Sequence, residues 1–172
     1  MKSNFERCLE LVLKSEGGYV NHKDDPGGRT NLGVTQKVWE EWVGHPVTEK
    51  DMKALTVEKV APMYEMKYWR PSYCEKLPIG VNLLVFSMAV NAGSGRAVKL
   101  LQRCLGLVED GVIGPNTMGK IKELSPASLV DRYSATRKAY YEALKLFPVF
   151  GRGWLNRVEK ERLEALEMVR NS

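Results

Sequence analysis

The chain has 172 residues and a formal net charge of +5, with 44% hydrophobic and 27% charged residues. That length and apolar content suit one ordinary domain or two small ones with a real core, and exclude a disordered polyampholyte. The charge, with a pI near 9.1, suits an anionic partner such as nucleic acid, a membrane surface or an acidic wall polymer. The basic residues are spread along helices rather than gathered in one block, so charge alone does not choose among these.

The N-terminus interrupts its apolar residues with acids and lacks the unbroken stretch of a signal peptide. No apolar run reaches membrane-spanning length. The expectation is a chain made in a cytoplasm without a signal peptide. Three cysteines, Cys8, Cys74 and Cys104, form no CxxC pair. Neither a disulfide framework nor a zinc site is expected, and His22 and His45 are too few for a histidine metal site. No metal and no cofactor are therefore expected.

The predicted elements are mostly helical. Ser3 followed by Glu6 fits a capping box, and Phe5, Cys8, Leu9, Val12 and Leu13 recur at helical spacing behind it. Gly17 or Gly18 can end that helix in a left-handed conformation. Residues 17–35 are rich in turn chemistry and predict a short β-hairpin patch. Thr35, Thr48 and Thr56 each cap a further helix, running to Val43, about Leu55 and Trp69, the last with a kink at Pro62. Pro78 suits the first turn of an apolar helix, IGVNLLVFSMAVN. A break at AGSG, a helix RAVKLLQRCLG, the loop VEDGVIG and a helix opened by Pro115 follow. Ser125 and Pro126 open a long helix to about Leu146, FPVFGRGW breaks it, and a charged helix runs to about Arg170.

The stretch SEGGYVNHKDDPGGRTNLGVT, Ser15–Thr35, is too polar and too broken for core. At 100° per residue, the step from Phe5 to Glu16 leaves Glu16 about 20° from Phe5 around the axis. Glu16 thus continues the apolar stripe at the last turn and faces inward. Desolvation and the partial negative charge of the helix C-terminus then favour its protonated form, which a general acid needs. The following loop brings Asp25, with Asp24 beside it, then Thr30, Asn31 and Thr35. Paired carboxylates flanking a cleft are the chemistry of glycosidic bond cleavage, and hydroxyl or amide groups can hold the water. Asp25 can equally serve as a turn residue bonding its own backbone.

These residues resemble the signature of glycoside hydrolase family 108, the phage and prophage N-acetylmuramidases, with a Glu-Gly-Gly-Tyr motif at Glu16–Tyr19 followed by an Asp-Pro-Gly-Gly loop at Asp25–Gly28. YEMKYWRP (Tyr64–Pro71) is similar to the family's Tyr-Trp segment. Ala89–Ile121 resembles the peptidoglycan-binding region that follows the catalytic part, and FGRGWLNRV fits as well. The resemblance implies a mainly α, lysozyme-like helical fold. It implies a catalytic region over 1–88 and a peptidoglycan-binding-like helical region over 89–172, packed as one unit. Glu16 becomes the general acid and Asp25 the second carboxylate, with Thr30 or Asn31 placing water. Tyr19, Trp69, Asn91, Gln102, Asp110 and Thr117 become candidates for substrate contact, although Tyr64 suits core, and Asp110 and the nearby glycines can simply build a turn. Ser87 departs from the pattern, which calls for aspartate.

The implied activity is that of a monomeric endolysin cleaving the β-1,4 bond between N-acetylmuramic acid and N-acetylglucosamine, released to the wall by a separate pore-former. Its partners are peptidoglycan glycan strands, without nucleic acid or stable membrane insertion. A lytic transglycosylase and a non-catalytic wall-binding module are the alternatives. A basic nucleic-acid binder has only the charge in its favour.

Overall fold

The computed structural model describes residues 1–21 and 28–172. The chain forms two compact units, Met1–Lys67 and Tyr68–Ser172.

The first unit opens with α1 (Asn4–Glu16), whose N-terminus carries the complete capping box: Ser3 Oγ accepts from Glu6 N–H and the Glu6 carboxylate accepts from Ser3 N–H. Cys8, Leu9, Val12 and Leu13 are buried on the stripe that the spacing predicts. Gly17 ends the helix with φ +76° and ψ −176°, a positive-φ exit other than the left-handed helical one. Among the described residues the turn-rich patch forms three short antiparallel strands in the order β1 (Val20–Asn21), β2 (Arg29–Asn31), β3 (Val34–Thr35). Val20 pairs with Thr30, and Thr30 with Thr35, so the register runs across all three strands through Thr30.

Thr35 caps α2 (Gln36–Val43), Thr48 caps α3 (Glu49–Lys53) with a second capping box, and Thr56 caps α4 (Val57–Tyr64). Each threonine hydroxyl accepts the backbone N–H three residues on, satisfying a donor that the helix start leaves unpaired. α4 packs on α1, and α3 on β2. The helix continues through Pro62, which has no N–H to give the ladder, and its winding then widens into a π-helical segment, Glu65–Trp69. The expected single helix to Trp69 is therefore two different windings.

The second unit is built around α5 (Val81–Ala92). Every residue from Val81 to Ala89 is buried, as a helix apolar on all sides requires. It begins at Val81, three residues after Pro78, where Gly80 turns at φ +91°. A Cβ at Gly80 would lie 2.7 Å from the Ala165 carbonyl oxygen, so glycine is what allows α5 to approach the last helix this closely.

The AGSG break is sharp: Gly93 alone separates α5 from α6 (Ser94–Cys104). Then come α7 (Pro115–Lys122), α8 (Pro126–Glu142) and α9 (Phe147–Arg170). α5 packs against α6, α8 and α9, and α8 against α9. The segment FPVFGRGW, expected to interrupt helix, instead forms the first turns of α9. Pro148 sits in the first turn, where a missing N–H costs nothing, and Gly151 packs under the Phe147 ring. The real break is the stretch from Ala143 to Leu146.

A buried charge cluster joins three of these helices. Ser87 of α5 donates to Glu161 Oε1 of α9 at 2.8 Å, and Arg137 of α8 meets Glu161 Oε2 at 2.8 Å. Arg157 adds a bond to Oε1 at 3.0 Å. Burial alone would raise the Glu161 pKa. Arg137, the Ser87 hydroxyl and Arg157 outweigh it, and the carboxyl sits below its ordinary value. At position 87, where the resemblance leads one to expect aspartate, this chain has a serine that donates to Glu161. An ionised carboxylate there would face another carboxylate.

Candidate active site

Glu16 is the last residue of α1 and is half-buried. What it rests against is the turn between β2 and β3. Leu32 and Gly33 both have positive φ, +52° and +75°, the geometry of a tight two-residue hairpin turn. A Cβ on Gly33 would lie 3.0 Å from Glu16 Cγ, 3.1 Å from Glu16 Cβ and 2.9 Å from Tyr64 Oη. The glycine is thus required twice, by its dihedral and by the two side chains crowded over it.

Tyr64, buried at the end of α4, donates its hydroxyl to the Leu32 carbonyl at 2.8 Å. One phenol therefore ties the hairpin turn to α4 beneath the stem of Glu16. Tyr64 is core, as its spacing suits. Its hydrogen bond to the turn under Glu16 has no local signature, because its partner lies thirty-two residues away.

Thr30 and Asn31 sit next to each other on β2 and therefore point to opposite faces. Asn31 is buried and donates from Nδ2 to the Met52 carbonyl at 2.9 Å, fastening the sheet to α3. Thr30 is half-buried on the other face, paired across with Thr35. Tyr19 is half-buried and leans toward α3. Its hydroxyl meets Glu49 Oε1 at 3.3 Å and Lys53 Nζ stands 5.2 Å from its ring centroid. Lys53 also pairs with Glu49 at 3.1 Å. Hydrogen bonding and charge from Lys53, then the Tyr19 hydroxyl, lower the Glu49 pKa. Asp25 lies outside the described residues, as do Asp24 and His22.

The other sequence candidates belong to the second unit. Trp69, expected at a cleft, is 1% exposed. Its ring packs edge-on to Phe86 at 5.3 Å and its Nε1 donates to Glu75 at 3.0 Å, so it is core. The π-helical winding that ends at Trp69 sets the direction of its side chain, and spacing on a regular helix does not anticipate this.

Gln102, Asp110 and Thr117 do come together, but around one another. Gln102 Nε2 donates to Asp110 Oδ1 at 2.8 Å and to the Val112 carbonyl at 2.9 Å, with Thr117 Oγ1 at 3.4 Å. Gln102 Oε1 accepts from Gly111 N–H at 2.9 Å, and Asp110 Oδ1 accepts from Val112 N–H. These polar atoms hold the loop between α6 and α7 in one shape. Asn91 is exposed at the end of α5, its Oδ1 accepting from the Tyr141 hydroxyl at 2.8 Å.

A carboxyl group braced at a helix end over a rigid turn, beside a hydroxyl-bearing strand, can deliver a proton to a leaving oxygen. Similarity to known proteins identifies the family of the chain. Residues 9–93 match the model for glycosyl hydrolase 108, and residues 96–159 match that of a predicted peptidoglycan domain. A solved structure described as that of Brucella abortus SagA is 36% identical to the chain. The alignment covers 98% of this chain and 97% of that one, with a TM-score of 0.84. No curated protein matches the chain. Two family models in tandem and a full-length structural relative agree: the chain belongs to the glycosyl hydrolase 108 family and is a lysozyme-like, peptidoglycan-hydrolysing glycosidase.

Proposed function

We propose that the enzyme cleaves the β-1,4 bond between N-acetylmuramic acid and N-acetylglucosamine, with Glu16 as the general acid. The observation that carries this reading is the bracing of Glu16 against Gly33 and Tyr64 at the mouth of the hairpin turn. The braced carboxyl protonates the glycosidic oxygen as the bond to it breaks. Positive charge then builds on the ring carbon and oxygen, and Asp25 is the carboxylate that opposes it. Thr30 is favoured over Asn31 for holding water, since the Asn31 amide is already committed to Met52. Tyr19 is a contact for the sugar chain. The biological setting that suits this activity is a phage-type endolysin, a monomer made in the host cytoplasm and passed to the wall by a separate pore-former.

The test is mass spectrometry of purified peptidoglycan digested by wild type and by Glu16→Gln. The expected products are fragments with reducing N-acetylmuramic acid ends, made by wild type alone. Fragments lighter by one water would make the enzyme a transglycosylase. Full activity in Glu16→Gln would remove Glu16 from the mechanism.

A further inference from the structure

The turn joining α8 to α9 exposes apolar side chains that the enzymatic reading does not use. Leu146 is 57% exposed, Val149 71% and Phe150 52%, with exposed Pro148 between them. Large apolar residues clustered on a surface mark an interaction site more often than scattered ones do.

The tip is packed at its base. Phe150 stacks on Trp154 at 5.9 Å and Trp154 on Tyr141 at 5.3 Å, both near 32–33° between planes. Tyr141 is anchored by its bond to Asn91, and Gly151 lies tightly under the Phe147 ring.

Two cations flank the tip. Lys145 and Arg152 are exposed, and among the described residues no carboxylate pairs with either. From Lys138 to Arg152 the chain carries one acid, Glu142, against Lys138, Lys145 and Arg152.

We propose that this tip docks reversibly on an anionic phospholipid surface, with Leu146, Val149 and Phe150 entering the headgroup region and Lys145 and Arg152 meeting the lipid phosphates. Apolar insertion and basic flanks are the two signals that together hold a peripheral protein at a bilayer. A sugar strand fits less well. It would use flat aromatic faces, whereas the tip's most exposed side chain, Val149, is a branched aliphatic that acyl chains accommodate. A second copy of the chain meeting the same tip would bring Lys145 and Arg152 against their own kind.

The experiment uses the full chain and two kinds of large vesicle, phosphatidylcholine alone and an equimolar mixture with phosphatidylglycerol. Sedimentation with the anionic vesicles and not with the neutral ones is expected. Lys145→Gln with Arg152→Gln should weaken that binding about thirtyfold, the loss of two basic contacts at an anionic surface. Val149→Ser with Phe150→Ser should abolish it in a protein that still folds, as circular dichroism reads. Should that pair melt early, Val149→Asp alone repeats the test at the tip's most exposed position. Equal binding to both vesicles, or to neither, overturns the proposal. So does loss of sedimentation with purified peptidoglycan, or of a concentration-dependent dimer, as the only effect of the Val149 and Phe150 changes. None of these outcomes depends on Glu16.

Discussion

Gly33 lies so close to Glu16 that a single methyl group on it would fall 3.0 Å from the glutamate's Cγ and 2.9 Å from Tyr64 Oη. Gly33→Ala combines that crowding with a φ of +75°, which L-residues rarely adopt, and is expected to destabilise the first unit by about 1–3 kcal/mol. It should also displace the Glu16 stem, so peptidoglycan hydrolysis should fall well below what the loss of folded protein explains. Turbidity clearing per folded molecule, with the folded fraction from circular dichroism, is the measurement. Activity that simply tracks the folded fraction would leave the turn a purely structural role.

Tyr64→Phe is the gentler probe of the same brace. It removes one hydroxyl and leaves the Leu32 carbonyl without its donor, a loss of about 1–3 kcal/mol. The ring still fills its place in the core. The expected signature is a lower kcat with KM nearly unchanged. A rise in KM alone would instead place Tyr64 in substrate contact.

Glu161 predicts how stability depends on pH. Its folded pKa is lowered from 4.5, so its stabilising contribution is fully present above that value and is lost as pH falls through the lower, folded one. Glu161→Gln breaks a buried pair, should cost about 3–5 kcal/mol at neutral pH, and should flatten the acid limb of the melting curve. Ser87→Asp has the opposite slope. It sets a second carboxylate beside Glu161, so one of the two takes up a proton more readily than in the unfolded chain. Stability should be lowest at neutral pH and recover on acidification. Thermal melts across the acid range compare the three proteins.

The cysteines should be silent in the native protein. Burial pushes the Cys8 thiol up to about 12, against a small opposing effect of Arg7, and pushes Cys104 up to about 12 against Arg132. Cys74 is fully buried. A maleimide at mildly alkaline pH should label almost no thiol in folded protein, and all three after denaturation. Rapid labelling of Cys8 in the folded state would mean that α1 opens readily.

Much of the helical outline was legible because its punctuation is local. Ser3 with Glu6, Thr35, Thr48, Thr56 and Ser125 each satisfy a backbone donor three residues away, so a short window of sequence contains both partners. The apolar stripe of α1 was legible for the same reason. What sequence could not supply was long-range. The FPVFGRGW segment reads as a breaker until Phe147 is seen covering Gly151, and Trp69 reads as a cleft residue until Phe86 and Glu75 enclose it. Glu16 was singled out by its angle on the helix, but the glycine and phenol that brace it come from β-turn and α4 positions that no helical wheel relates. Gln102, Asp110 and Thr117 stood out only through the resemblance, as candidates for substrate contact, and nothing local in the sequence says that their polar groups are turned on one another.

The cluster of Ser87, Arg137, Arg157 and Glu161 also carries a consequence for inheritance. Because three helices share one charge balance, none of the four positions can drift alone. A lineage that acquires an acid at 87 should be found to have neutralised 161 or recruited another cation, and a lineage that loses Arg137 should have lost Glu161 with it. Across many relatives these four sites are expected to change as a set, leaving a record of compensation in the ancestry of the fold.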